Sequence, residues 1–269
     1  MDKYPSEAIR NIALVSHGGA GKTSLTEALL FTSGAINRLG NIEAGTTTTD
    51  YDPDEIKRQV TINVGLAPLE WDGGKVNLLD TPGYFDFIGD LLGALRVADS
   101  AAVVVCAVSG VEVGTEKVWQ YTEDFNLPRL ILINKLDREN ADFVGTLEQL
   151  QKHFGINVVP MQLPIGKEDD FTGVVDLIEE KALLFSGDGK NIDKKEIPEE
   201  LRDQAGALRE KLIEAAAETE DELLLKYLEG EALEPEEIRR ALRLGILQRK
   251  ITPVLCGAAT KNYGSGPLP

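Results

Sequence analysis

One glycine-rich octapeptide constrains the fold of this chain more than any other stretch of its sequence. Residues 16–23 read Ser-His-Gly-Gly-Ala-Gly-Lys-Thr, directly after an apolar run at Asn11–Val15 and before a run of helical spacing at Lys22–Thr32. In a strand–loop–helix unit, backbone N–H groups can wrap phosphate oxygens at the positive end of the helix dipole. The octapeptide therefore indicates a phosphate-binding loop, and an ordinary glycine-rich turn is the alternative.

The octapeptide also predicts roles for its members. Ser16 stands where the general pattern has glycine, whereas Gly21-Lys22-Thr23 is intact. Lys22 is expected along the β- and γ-phosphates of a nucleotide, and the Thr23 hydroxyl on Mg²⁺. The residues predicted to bind the nucleotide here are Ser16, His17, Gly18, Gly19, Ala20, Gly21, Lys22, Thr23 and Ser24.

Two further motifs follow apolar runs that read as strands. Asp80-Thr81-Pro82-Gly83 can offer a carboxylate to Mg²⁺ through water and a glycine amide to a γ-phosphate. In Asn134-Lys135-Leu136-Asp137, the Asp137 carboxylate can accept from the ring N–H and exocyclic amine of guanine, which adenine lacks. In isolation, Asp80–Gly83 is better interpreted as a Pro-Gly turn, and Asn134–Asp137 is a weak signal that also fits a surface turn. Three such motifs in this order, at successive strand ends, favour a guanine nucleotide site.

The spacing of apolar residues predicts an α/β fold with a mostly parallel sheet flanked by helices. We expect residues 1–160 and 251–269 to form this domain and an acidic α+β subdomain at residues 161–250 to interrupt it. That subdomain is predicted to hold a strand at Thr172–Phe185, a polar turn region at Gly187–Lys195 and three helices. The other predicted strands are Thr61–Glu70 (at a sheet edge), Lys75–Leu79, Ala101–Ala107, Arg129–Ile133, Ile156–Leu163 and Ile251–Cys256. The other predicted helices are Phe87–Ala98, Thr115–Phe125 and Phe143–Phe154, and Ala35–Val60 is predicted to be a long loop.

Composition excludes several classes of protein. A formal charge of −17 argues against binding to naked nucleic acid, because phosphate contacts need a surplus of Lys and Arg. Cys106 and Cys256 lie in apolar runs, which is typical of reduced core thiols. No apolar run approaches the ~20 residues of a membrane helix. We therefore expect a soluble, cytoplasmic protein without a membrane partner.

With these motifs, the chain resembles the GTP-binding domain of translational GTPases, and specifically of elongation factor G and its paralogues. The resemblance covers essentially the whole chain. It is carried by Asn134–Phe143, by the start of an inserted subdomain at Gln162–Leu184, and by Cys256–Ala259 followed by Lys261-Asn262. It implies a P-loop GTPase fold with GTP or GDP and Mg²⁺ as ligands, and GTP hydrolysis as the activity.

The resemblance also implies residue roles. Thr61 corresponds to the switch I threonine that binds Mg²⁺ and senses the γ-phosphate, and Gly83 to the switch II amide donor. Tyr84 stands where the family has a histidine that positions the attacking water, and a phenol is neutral at pH 7. The implied catalytic set is Tyr84, Lys22, Thr61 and Gly83, and the implied metal set is Thr23, Thr61 and Asp80. The remaining implied nucleotide contacts are Asp80, Thr81, Pro82, Gly83, Asn134, Lys135, Asp137, Gly257 and Ala258.

Some positions depart from the family pattern. Gly18 replaces an apolar residue, Gly19 an aspartate, and Gln59 a glycine. We expect a chain with Gly18, Gly19 and Tyr84 to bind nucleotide. The same three residues make fast GTP hydrolysis a weaker expectation. A nucleotide-dependent ribosome-binding switch with little hydrolysis is therefore an alternative, and so is a ribosomal protection factor, whose family shares the Gly45–Asp50 stretch.

The resemblance finally implies partners. We expect a monomer that acts on the ribosome, with stalk protein bound through the insertion and ribosomal RNA near the GTP site. The later domains of the family are missing from this sequence, so we expect it to be a fragment.

Overall fold

The structure, a computed structural model, describes residues 4–155 and 157–265. Its strands are β1 (Ile9–Val15), β2 (Gly65–Trp71), β3 (Gly74–Asp80), β4 (Ser100–Cys106), β5 (Arg129–Asn134), β6 (Val158–Pro160), β7 (Gln162–Ile165), β8 (Gly173–Asp176), β9 (Lys181–Ser186), β10 (Asn191–Lys195) and β11 (Thr252–Cys256). Its α-helices are α1 (Lys22–Ser33), α2 (Pro53–Arg58), α3 (Ile88–Val97), α4 (Val113–Asp124), α5 (Phe143–Phe154), α6 (Arg202–Ala217), α7 (Asp221–Leu228) and α8 (Pro235–Leu247).

The larger sheet has seven strands in the order β2-β3-β1-β4-β5-β11-β6. All neighbouring strands in it are parallel except β2 and β3, which pair antiparallel. The predicted mostly parallel α/β sheet is confirmed. Strand β2 lies at the edge, and its residues alternate between buried and exposed as the sequence predicts.

Helices cover both faces of this sheet. Alternate residues of β1 point to opposite faces: Ala13 and Val15 pack with α3, α4 and α5, whereas Leu14 packs with α1, α6 and α8. Strands buried on both faces read as nearly continuous apolar runs, which is why their positions are predictable from sequence. Among the described residues, no helix is long and apolar enough to cross a membrane.

A second sheet holds four antiparallel strands in the order β10-β9-β8-β7. The chain leaves the larger sheet after β6 and returns to it at β11, so the 161–250 segment contains this small sheet and helices α6 to α8. The three predicted helices are present. Ile238, Ala241, Leu242 and Gly245 of α8 are buried, as their spacing indicates.

Three predictions for strands were wrong in detail. Thr172–Phe185 is two strands, β8 and β9, with a turn between them. The second half of the Gly187–Lys195 region is strand β10, whose residues are mostly exposed because it pairs on one side only, so it carries no apolar signal. Within Ile156–Leu163, Ile156 lies outside the described residues, and the remainder divides between β6 in the larger sheet and β7 in the small one.

The region before β2 also differs from expectation. The strand predicted to start at Thr61 starts at Gly65, because the backbone N–H groups of Ile62 and Asn63 donate to the Glu55 carboxylate instead of to a neighbouring strand. The predicted long loop contains helix α2. This helix has proline at its first turn and a capping box formed by Asp52 and Glu55.

Candidate nucleotide-binding site

The three sequence motifs meet at one edge of the larger sheet. Strands β1, β3, β5 and β11 run parallel, so the loops that follow them lie side by side. A cleft of about 670 Å³ opens there. Residues from several parts of the chain line it, namely Gly18, Gly19, Gly21, Lys22, Thr23, Ser24, Leu39–Glu43, Asp50, Gln59, Val60, Thr61, Gly83, Tyr84, Lys135, Arg138, Ala259 and Thr260.

The loop between β1 and α1 has the backbone that its glycines predict. Gly19 and Gly21 have φ values of +81° and +100°, a region that favours glycine. Asn134 Nδ2 donates to the Ala20 carbonyl at 3.0 Å, and Lys135 Nζ donates to the Gly19 carbonyl at 2.6 Å. A side chain on Gly21 would lie 2.5 Å from Asn134 Nδ2. The Asn134–Asp137 motif therefore packs directly on the glycine-rich loop.

Lys22 is buried beneath this loop. Its Nζ donates to Ser16 Oγ at 2.9 Å and to the His17 carbonyl at 3.5 Å. Burial lowers the pKa of Lys22 to about 8, since the charged form loses solvation. A phosphate in the cleft would supply the negative charge that stabilises this ammonium.

The His17 side chain packs against the start of α4. Its Nε2 lies 3.1 Å from Glu112 Oε1 and its Nδ1 lies 3.3 Å from Thr115 Oγ1. Burial lowers the pKa of His17, partly offset by Glu112. Because a carboxylate only accepts hydrogen bonds, a neutral His17 carries its proton on Nε2 and accepts from Thr115 at Nδ1. The contacts indicate that His17 holds the loop in place.

The predicted metal ligands come together at one end of the cleft. The hydroxyls of Thr23 and Thr61 lie 3.1 Å apart. Asp80 is fully buried, and its Oδ2 accepts from Thr49 Oγ1 at 2.7 Å. Its Oδ1 has no hydrogen-bond partner among the described residues, and neither has Asp50 Oδ1. Burial raises the pKa of Asp80 to about 6 and also raises that of Asp50.

This donor set fits a hard divalent cation. Every group is a hydroxyl or carboxylate oxygen, which suits Mg²⁺. The two buried carboxylate oxygens without partners carry a desolvation cost that a nearby cation would offset. Thr23, Thr61 and Asp80 are therefore the residues that would hold the metal, with Asp50 beside them.

The opposite end of the cleft collects the groups predicted to read a base. Asn134 Oδ1 accepts from the Ala259 N–H at 3.0 Å, and Asp137 Oδ2 accepts from Thr260 Oγ1 at 3.4 Å. Asp137 Oδ1 is buried without a hydrogen-bond partner in the described part of the chain. Gly257 and Ala258, which are predicted to contact the nucleotide, directly precede Ala259 and Thr260. Ala258 is fully buried, and it is Ala259 and Thr260 that line the cleft. The arrangement leaves one carboxylate oxygen free to accept from a base.

Gly83 and Tyr84 lie against the glycine-rich loop. A Cβ on Gly83 would come within 2.6 Å of Lys22 Nζ and 2.9 Å of Gly18 Cα. The Tyr84 ring covers Gly18: a Cβ there would lie 2.9–3.2 Å from three ring atoms. Thr81 and Pro82 are buried, and the Thr81 hydroxyl donates to the Leu14 carbonyl at 2.6 Å. Tyr84 is half exposed and borders the cleft.

Sequence reasoning missed the residues that fold the long segment over the cleft. Glu27 of α1 is buried, and its two carboxylate oxygens accept from the N–H groups of Gly40 (2.9 Å) and Thr48 (2.5 Å). Thr49 and Asp50, in the same segment, reach the metal end of the cleft. The spacing of Glu27 with Thr23 and Leu30 along α1 indicates its burial, but nothing near it in the sequence indicates its partners Gly40 and Thr48.

Two comparisons with known proteins agree with this geometry. The sequence model of the family described as the elongation factor Tu GTP binding domain matches residues 7–268. The crystal structure of a protein from Thermus thermophilus is similar to this one, with a TM-score of 0.90 and 40% sequence identity. The match covers 96% of this chain and 38% of the Thermus chain, so the chain spans well under half the length of that relative.

Proposed function

Because this chain belongs to the elongation factor Tu GTP binding domain family, a family of GTPases, we propose that it is the Mg²⁺-dependent GTPase domain of an elongation factor G-like protein that acts on the ribosome. One observation supports the hydrolytic part of this proposal most strongly. The hydroxyls of Thr23, in α1, and Thr61, between α2 and β2, lie 3.1 Å apart beside buried carboxylate oxygens that lack partners among the described residues.

In the proposed reaction, water attacks the γ-phosphorus of GTP and the bond to the β–γ bridging oxygen breaks, which yields GDP and phosphate. Lys22 and the loop N–H groups stabilise the negative charge on the transferred group and on the leaving oxygen. We propose that the Gly83 amide donates to the γ-phosphate, and the close approach of Gly83 to Lys22 Nζ supports this role. When bound, Mg²⁺ would neutralise phosphate charge at Thr23, Thr61 and Asp80.

Tyr84 is the proposed water-orienting group. Its hydroxyl can donate to or accept from a water molecule, but a phenol is a poorer general base than an imidazole. The hydroxyl therefore orients the nucleophile without taking its proton easily. The presence of a tyrosine at position 84 also favours the second candidate function, a ribosome-binding switch with little hydrolysis.

Guanine selection is assigned to Asp137. Its unpartnered Oδ1 can accept from the base, while Asn134 and Thr260 keep the surrounding loops in contact with each other. Lys135 borders the same end of the cleft and can cover one face of the base. Adenine has no matching donors at these positions, so ATP is expected to bind poorly.

We further propose that the 161–250 segment is a subdomain that docks on ribosomal stalk protein, and that ribosomal RNA contacts the protein near the GTP site. The expected state is a cytoplasmic monomer. Similarity to ribosomal protection factors at Gly45–Asp50 makes ribosomal protection another candidate activity.

The test is GTP turnover, measured as phosphate release, for this chain and for the full-length protein with and without ribosomes. We expect slow, EDTA-sensitive turnover by the chain and marked stimulation of the full-length protein by ribosomes. Lys22→Ala should abolish the slow turnover of the chain and the ribosome-stimulated turnover of the full-length protein. Nucleotide-dependent ribosome binding without stimulated GTP turnover would favour the second candidate function, a ribosome-binding switch. A rate of GTP turnover that is the same with and without ribosomes, and no ribosome binding, would refute the ribosomal role.

A further inference from the structure

Asn262 connects three separate parts of the molecule. It is almost fully buried, and its backbone is in the left-handed region with φ of 59°. Its side-chain Oδ1 accepts from the hydroxyl of Thr32, near the end of α1, at 2.9 Å. Its Nδ2 donates at 3.0 Å to the carbonyl of Asp188, in the turn between β9 and β10. Both ends of one amide are therefore used to join the small sheet to the larger domain.

The turn between β9 and β10, residues 187–190, packs closely at this point. A Cβ on Gly189 would lie 2.3 Å from the Asn262 carbonyl oxygen, so the two backbones are in direct contact. The next residue, Lys190, places its Nζ 3.7 Å from the centroid of the Phe31 ring on α1. Tyr263, which follows Asn262, stacks at an angle on Phe185 of β9, with ring centroids 5.5 Å apart.

The residues just before Asn262 form the base end of the cleft. Ala258 and Tyr263 exchange two backbone hydrogen bonds of 2.8 and 3.1 Å, which close a short loop. Within that loop, Ala259 donates to Asn134 and Thr260 donates to Asp137. Only Lys261 separates Thr260 from Asn262. The turn of the small sheet thus contacts the outer side of the loop whose inner side faces the base.

We propose that the β9–β10 turn and Asn262 are positioning elements for the guanine base, so that the 161–250 segment sets how tightly the domain holds its nucleotide. This inference rests on the proposed guanine nucleotide site. A shift of the turn moves the 258–263 loop, and through Thr260 and Ala259 it moves Asp137 and Asn134. Because GDP and GTP share the base, such a shift changes the release of both nucleotides by the same factor. It leaves the γ-phosphate end, with Thr61 and Gly83, in place.

The chain offers a matched pair of variants. Gly189→Ala places a methyl group against the Asn262 carbonyl, in a backbone with φ of +81°. Gly187→Ala creates similar backbone strain in the same turn, with φ of +63°, but meets no atom closer than 4.0 Å. A general weakening of the turn therefore affects both variants. Only Gly189→Ala also disturbs the contact between the turn and the 258–263 loop.

The experiment measures dissociation of fluorescent mant-GDP and mant-GTP from the 269-residue chain by stopped flow. We expect Gly189→Ala to release both nucleotides roughly threefold to thirtyfold faster than wild type, and Gly187→Ala to match wild type. Competition by GDP and by IDP, which lacks the exocyclic amine, gives a second readout. The preference for GDP should fall in Gly189→Ala, whereas a merely structural defect lowers the melting temperature and leaves that preference unchanged.

Asn262→Asp provides a second variant if Gly189→Ala does not fold. It keeps the acceptor for Thr32 and loses the donor to the Asp188 carbonyl, and it should accelerate release of both nucleotides. Equal release rates in Gly189→Ala, Asn262→Asp, Gly187→Ala and wild type would overturn the inference while leaving the nucleotide site intact. Wild type that binds neither mant-GDP nor mant-GTP would instead overturn the proposed function and this inference together.

Discussion

Gly18 and Tyr84 illustrate how two residues that read as separate features of the sequence form one feature of the structure. Gly18 stands where the family that this chain resembles has an apolar side chain, and Tyr84 stands where that family has a histidine. In the structure, the phenol ring occupies the space that a side chain at position 18 would need. The small residue accommodates the large one, so both departures have one physical cause.

This packing leads to a prediction for Tyr84. In the full-length protein, Tyr84→Phe should lower ribosome-stimulated GTP turnover and leave GTP affinity nearly unchanged, because only the water-orienting hydroxyl is lost. The loss should be a modest part of the roughly 10²–10⁴-fold that a positioned acid–base group contributes. Tyr227→Phe, on α7, is the control. Wild-type stimulated turnover in Tyr84→Phe would mean that the phenol has no part in the chemistry.

A second prediction concerns the pair. Gly18→Ala should reduce turnover in the wild-type background, because the new methyl group displaces the Tyr84 ring. The same substitution should have a much smaller effect in a Tyr84→Ala background, where no ring is displaced. The coupling energy from this double-mutant cycle should be about 0.5–3 kcal/mol in transition-state free energy. Additive effects of the two substitutions would show that the ring and Gly18 act independently.

At the level of elements, the segment from Ala35 to Val60 depends on two buried carboxylates. Glu27 holds its first half through Gly40 and Thr48, and Glu55 holds the residues that follow α2. The segment ends just before Thr61, whose hydroxyl lies 3.1 Å from that of Thr23. Loops that sense a γ-phosphate are typically ordered in one nucleotide state and released in the other. Under the proposed GTPase function, we expect these two carboxylates to order the segment.

Glu27→Gln tests this role. One carboxylate oxygen becomes an NH₂ group that faces a backbone N–H, so one buried donor loses its partner at a cost of about 1–3 kcal/mol. Proteolysis within residues 35–60 should become faster in the GTP-bound chain, and the ratio of GTP to GDP affinity should fall. Glu148→Gln, on the exposed face of α5, is the matched control. Unchanged protease sensitivity and an unchanged affinity ratio would exclude Glu27 from ordering the segment.

The elements also show which parts of the structure are accessible from sequence. Strands such as β4, apolar on both faces, and the three loop motifs are predictable because the signal lies in consecutive residues. Helix α2 also has a local signal, Asp52-Pro53 followed by Glu55, which the prediction of a long loop does not use. Strand β10 and the roles of Glu27, Thr49 and Asp50 are not predictable, because they depend on partners far away in the chain.

At the scale of the whole molecule, loops at one edge of the larger sheet line both ends of the cleft. The small sheet contacts the outer side of the 258–263 loop, which forms part of the end where a base is proposed to bind. Buried apolar residues of both sheets belong to one continuous cluster, which includes Val103, Val175 and Phe185. A change at the small sheet therefore has a direct packed connection to the base end of the cleft.

Competition for bound mant-GDP measures whether this chain binds a guanine nucleotide through Asp137. GTP should displace the probe from the wild-type chain, and ATP should compete more weakly by a factor on the order of 10⁴. Asp137→Asn exchanges an acceptor for a donor, so xanthosine triphosphate should become the better competitor, while Asp169→Asn should behave as wild type. Displacement by ATP as effective as that by GTP, or an Asp137→Asn chain that still prefers GTP, would show that Asp137 does not select guanine.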